Sequence, residues 1–130
     1  MKITRIRTFP ITLTVRPEFY IVSSAGTHAI SRYVVVALET NEGVTGWGEA
    51  TVVPLWSGES QGGAIALIED YVVLLLKDRD FLTIDLEGID FIVIDNDFTK
   101  AVVEMALLDL IGKQQQKPIY EILGGVKNLL

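Results

Sequence analysis

The sequence predicts an α+β fold: a three-stranded antiparallel β-meander followed by a helical bundle. Three observations carry that reading. Alternating and β-branched runs are confined to residues 1–50, and a tight turn, Asn41-Glu42-Gly43, separates the last two of them. Two long apolar stretches with helix-starting residues follow, within residues 60–123. The length of 130 residues suits one domain with a real core. It excludes a complete (β/α)₈ barrel, which needs about 250 residues.

The first strand is expected within residues 2–15, where Ile11, Leu13 and Val15 alternate with Thr and Arg. Pro10 lacks an N–H and belongs at a sheet edge or a bulge. Residues 16–31 lose periodicity. Pro17, Ser23, Ser24, Gly26 and Thr27 read as loop, yet Phe19, Tyr20, Ile21 and Val22 need a surface to rest on. Arg32 to Thr40 is the second strand, and Val44 to Ala50 returns beside it. Gly46 and Gly48 flank Trp47, which suggests a bulged strand end with the indole packed beneath it, or a close backbone approach.

Residues 51–59 form a second loop, with Pro54, Trp56, Ser57 and Gly58. Ser57 or Ser60 can cap a helix from Gln61 to Lys77. Residues 78–97 fit a strand or a short helix equally, and Gly88 weakens either. A last long helix is expected from Asp97 to Lys113, with Asp95, Asn96 and Asp97 as candidate caps. It presents two apolar faces, one near Phe98 and Met105, the other near Val103 and Leu107, so it should be packed on two sides. Pro118 to Gly125 reads as one helical turn, started by Pro and stopped by Gly.

Composition narrows the function. The charge balance is 11 basic against 17 acidic residues, net −6, with no basic cluster. Nucleic acid and anionic membranes are therefore poor partners. There is no cysteine, which removes disulfides and thiolate metal sites. The longest apolar run, Tyr71 to Leu76, falls far short of the ~18 residues of a membrane span. The first residues lack the apolar core of a signal peptide, so the expectation is a soluble, cytoplasmic protein. A mean hydropathy of +0.38 is high for a small soluble domain and suggests self-association, a homo-oligomer.

No catalytic constellation stands out. Gly46-Trp47-Gly48 is not a phosphate loop, because no third glycine and no Lys-Ser/Thr follow. His28 is the only histidine, so it cannot build a histidine metal cluster. It is either a polar group facing a ligand or an exposed loop residue. The acidic run from Asp78 to Asp97 does not match an EF-hand and suits helix capping and solvation. Asp109 and Lys113 stand four apart and form a helix-surface pair. Trp56 is either a core anchor or a ligand wall.

Three segments in register resemble a known family. Val34 to Ala50 (VVVALETNEGVTGWGEA) resembles the second and third strands of the enolase-superfamily amino-terminal domain. Asn96 to Lys113 (NDFTKAVVEMALLDLIGK) resembles its last long helix, and Pro118 to Gly125 (PIYEILGG) its junction with the barrel. The Asn-x-Phe-x-Lys-Ala start and the Trp-Ser-Gly-Glu loop lean toward the muconate-lactonizing branch rather than the mandelate racemase branch. Gln116 stands where the family commonly has Gly, and Gly88 falls where the family is helical.

The resemblance implies a capping domain over residues 1–125, made of a meander over 1–50 and helices over 60–123. Residues 126–130 would begin the linker to a barrel absent from this chain. It further implies a parent enzyme that abstracts a proton α to a carboxylate, with Mg²⁺ and the acid/base groups held by the barrel. This chain would then be inactive alone, with no catalytic residue and no metal ligand of its own. The two long loops would contact a small carboxylate substrate, through Phe19, Ile21, Ser24, Thr27, His28, Val53 and Trp56. The alternative is a stand-alone, self-associating interaction module without catalysis. The apolar ending, Asn128-Leu129-Leu130, is expected to favour the capping domain.

Overall fold

The computed structural model describes residues 1–24, 26–84 and 93–125. Strands β1 (Ile3–Thr14), β4 (Ile30–Thr40) and β5 (Thr45–Thr51) form one antiparallel sheet in the order β1-β4-β5. Pro10 faces Val34 from the edge strand β1, so its missing N–H interrupts no inner ladder. Val34, Val36 and Leu38 are fully buried on the face covered by helices.

The same face carries Gly46 and Gly48, and these explain how closely the helix layer approaches. A Cβ at Gly48 would run into the Val102 carbonyl oxygen, and one at Gly46 into that of Ala106. The ladder passes both glycines without interruption, Val36 opposite Gly48 and Leu38 opposite Gly46. There is thus no bulge here, contrary to one expectation, and the close-approach alternative holds. Trp47 is not packed beneath the strand either. It points to the outer face, is 47% exposed, and its ring lies 6.2 Å from Phe9. Ala37, the register partner of Trp47 on this outer face, is fully buried.

The segment read as irregular loop contains regular structure. A 3₁₀ turn (Pro17–Phe19) leads into a small antiparallel hairpin, β2 (Ile21–Ser23) with β3 (Gly26–His28). Strands of three residues are too short to show an alternation, which is why the sequence reads as loop there.

Helix α1 (Pro54–Ser57) is a single turn in the second loop, closed by Gly58 in the left-handed region. Ser60 caps the next helix by accepting from the Gly63 N–H at 3.2 Å. That helix runs as α2 (Gln61–Leu67), a π turn (Ile68–Val72) and α3 (Val73–Leu76), matching the expected span. Ala64, Ile68, Val72 and Leu76 are all at most 2% exposed. Four-residue steps drift about 40° each around an α-helix. The wider π turn absorbs that drift and keeps all four on the core side. After α3 the chain crosses back to β1: Ile3 N–H donates to the Arg79 carbonyl at 3.0 Å. A 3₁₀ turn (Phe81–Thr83) then buries Phe81. Gly88 and the apolar positions from Leu86 to Ile92 lie outside the described residues.

The long helix α4 (Asp97–Gln115) and the short α5 (Ile119–Ile122) complete the chain. On α4, Val102, Val103, Ala106, Leu107 and Leu110 are buried against the sheet. The opposite apolar face is only half-covered, with Met105 41% exposed, so the second packing layer expected there is not found among the described residues. Asp109 and Lys113 form the expected pair at 2.6 Å and do more. Asp109 accepts from the Trp47 N–H at 2.8 Å, and Lys113 donates to the Thr45 carbonyl at 2.7 Å. Together they occupy two of the outward hydrogen-bonding groups of edge strand β5.

The start of α4 departs from expectation. Asn96 sits at the cap position but is left-handed (φ 57°), and its amide turns back to the Ile94 carbonyl. No side chain of Asp95, Asn96 or Asp97 caps the helix; Glu59 does, as described below. At the other end Gln116 holds the left-handed conformation (φ 52°) that favours glycine. It is exposed and gains nothing in return. Gln116→Gly is therefore expected to raise stability by about 1 kcal/mol, read as a higher Tm. An unchanged or lower Tm would contradict the helix-end geometry.

Candidate functional site

The hairpin β2–β3 and the start of β4 face the second loop across a groove. It encloses about 370 Å³. Thr27, His28, Ile30 and Arg32 line one side, and Val52, Val53, Pro54 and Leu55 the other. A neighbouring recess of about 260 Å³ shares Thr27, His28, Val53 and Leu55, and extends to Ser23, Gly26 and Trp56. Most of these groups are apolar, with a few polar ones converging, which is the composition of a small-molecule site.

Four of the seven residues expected to contact substrate are brought together here: Thr27, His28, Val53 and Trp56. The other three are not. Phe19, in the 3₁₀ turn before the hairpin, and Ile21, on β2, are each 66% exposed, and Ser24 is exposed at the hairpin tip. Ile21 pairs with His28 across the hairpin, so the two side chains share a face, yet His28 lines the groove and Ile21 does not.

His28 is half-buried, and its Nε2 shares a 2.8 Å hydrogen bond with the Ser31 hydroxyl, itself almost fully buried. That contact holds the ring rather than leaving it loose in solvent. Trp56 is 77% exposed, which excludes a core anchor. Its ring lies 5.6 Å from that of Phe98.

Glu59, absent from the sequence-based site, fixes this loop. It is 6% exposed. Its Oε1 accepts from the Phe98 N–H at 2.9 Å. Its Oε2 accepts from the Thr99 N–H at 2.8 Å and from the Thr99 hydroxyl at 2.6 Å. A carboxylate on the first free N–H groups of a helix satisfies them and suits the helix dipole. The loop carrying Trp56 is thereby tied to the start of α4, next to Phe98. Arg32 was also missed. The available signal was a single cation on a strand otherwise uncharged from Ile30 to Leu38.

The described residues hold no group of three or more His, Cys, Asp or Glu side chains able to bind a metal ion. No helix among them is long and apolar enough to cross a membrane.

A meander backed by a long helix, with a groove between two loops and no barrel, is the architecture of an enolase-superfamily amino-terminal domain. The family model for the mandelate racemase / muconate lactonizing enzyme N-terminal domain matches residues 5–124, and the chain belongs to that family. It is 28% identical over 127 residues to an N-succinyl-L-Arg/Lys racemase from Bacillus cereus, covering 96% of this chain and 34% of the relative. It is 35% identical over 115 residues to muconate cycloisomerase 1 from Rhodococcus opacus, covering 85% and 30%. A substrate-liganded L-Ala-D/L-Glu epimerase from Bacillus subtilis superposes with a TM-score of 0.88 at 28% identity, over 96% of this chain and 35% of that one. The chain thus spans about a third of the length of these relatives.

Proposed function

We propose that this chain is the substrate-capping domain of a larger enzyme that abstracts a proton α to a carboxylate, as a racemase, epimerase or cycloisomerase. The observation that carries the proposal is the groove, where Thr27 and His28 of one loop meet Val53 and Trp56 of the other. Muconate, N-succinyl amino acids and dipeptides, named in the relatives, are all carboxylates. The Mg²⁺ that the family relation implies finds no ligand set among the described residues, so no step is assigned to it here. This chain's part is to wall off the substrate from water and to read the portion remote from the reacting carbon.

The test is solvent exchange. The full-length protein, incubated in D₂O with N-succinyl amino acids, dipeptides and muconate, is expected to replace the α-proton of a dipeptide or N-succinyl amino acid by deuterium, or to lactonize muconate, as followed by proton NMR. The 130-residue chain alone is expected to do neither. Exchange by the short chain, or inertness of the full-length protein toward all three classes, would contradict the proposal.

Self-association is part of the same reading. Leu13 (54% exposed) and Trp47 lie on the sheet face that no helix covers. Sedimentation equilibrium of the chain is expected to give a mass that rises with concentration. A constant monomer mass would remove this part of the reading.

A further inference from the structure

Arg32 is the one formally charged side chain among the described residues that line the groove and its neighbouring recess. The chain as a whole is acidic, net −6, yet no carboxylate lines that space. Three cations elsewhere are engaged: Arg7 pairs with Glu39, Lys100 with Asp97, and Lys113 with Asp109. The Arg32 guanidinium has neither an ion pair nor a hydrogen bond among the described residues. Its backbone is fixed, because its carbonyl accepts from the Val52 N–H at 3.0 Å across the groove floor.

In the open groove water satisfies the guanidinium. Covering the groove removes that water, and an unpaired cation taken out of solvent is strongly disfavoured. Closure therefore requires an anion at Arg32. A planar fork of N–H donors matches a carboxylate in two parallel hydrogen bonds. The remaining wall, Ile30, Val52, Val53 and Leu55, offers only apolar contact. It suits a short aliphatic stem leading to that anion.

We propose that Arg32 is a specificity-determining residue that binds a second carboxylate of the substrate, so that the preferred substrates are acidic at the end remote from the reacting carbon. This rests on the capping-domain reading above, since it takes the groove to be the substrate's remote pocket.

The test compares two isosteric probes, glutarate and its monoamide glutaramate, titrated into the full-length protein and followed by NMR at the groove residues. It needs no turnover, so it stands apart from the exchange assay. Glutarate is expected to bind about tenfold more tightly than glutaramate, the scale of one charge-assisted carboxylate contact. Arg32→Gln is expected to abolish the difference, and Arg32→Glu to reverse it, with Arg16→Gln as a control that leaves it unchanged. Arg32 is exposed and unpaired, so neither variant removes a folding contact. Equal affinity for the two probes in the native protein, or a preference for glutarate that survives Arg32→Gln, would overturn the proposal. The second result would show that the anion is read elsewhere.

Discussion

Gly48→Ala is expected to destabilise the domain by about 3 kcal/mol or more. The added methyl meets the backbone carbonyl of Val102, not the end of a flexible side chain. Neither β5 nor α4 can yield locally, because Asp109 and Lys113 tie one to the other on the far side of the glycines. The layers must separate, and the separation is felt by Val102, Ala106 and Leu110, all fully buried. Gly62→Ala is the control: nothing lies within 4 Å of its would-be Cβ, and it sits in the first turns of α2. There a methyl group should stabilise by about 0.5–1 kcal/mol. Urea unfolding of the two variants checks the pair. Equal, small effects would mean that the sheet and helix are not in the close contact described.

Glu59→Ala is expected to cost about 3–4 kcal/mol, since it strands two backbone N–H groups and a hydroxyl in a buried place. Glu59→Gln keeps one carbonyl acceptor and should cost roughly half as much. The local consequence is as important as the global one. Without this carboxylate, the loop bearing Trp56 loses its tie to α4. Hydrogen exchange at Phe98 and Thr99 should then accelerate more than exchange in β4. Uniform acceleration would mean that Glu59 supports only the fold as a whole.

These two residues also show what could be read in advance. The meander was legible because Arg32 to Thr40 is rich in β-branched residues and a turn with one reading, Asn41-Glu42-Gly43, joins it to its partner β5. The long helices were legible from their apolar stretches, and the first of them also from its Ser60 cap. The pairing of Gly46 and Gly48 with α4 was visible only as two alternatives, because close approach and bulge leave the same sequence mark. Glu59 was not legible at all. Its partners lie about forty positions downstream, and a helix capped from another element leaves no local pattern. Asn96 had the right chemistry for a cap and the wrong backbone, since its left-handed conformation turns the amide away.

The site shows the same division. Both loops could be found from their composition, and four of the seven chosen residues lie together. Which residues of a loop face inward depends on a hairpin register set by strands of three residues. Phe19 and Ile21 are apolar enough to be chosen, yet Phe19 belongs to the 3₁₀ turn before the hairpin, and Ile21, although it shares a face with His28, lines neither space. Arg32 was passed over because it sits on a strand, where a lone cation reads as solvated surface.

The proposed capping role requires the groove walled by the two loops to hold substrate in the full-length protein. The measurement that bears on it most directly is kcat/KM for Trp56→Ala beside Phe19→Ala, with Tm recorded for both. Trp56 borders the recess, and Phe19 lies outside it, yet both are largely exposed and similar in chemistry. Trp56→Ala is expected to lower kcat/KM about tenfold or more at unchanged Tm, while Phe19→Ala changes it by less than about threefold. Equal effects of the two substitutions, or a loss in Trp56→Ala that follows a fall in Tm, would contradict it.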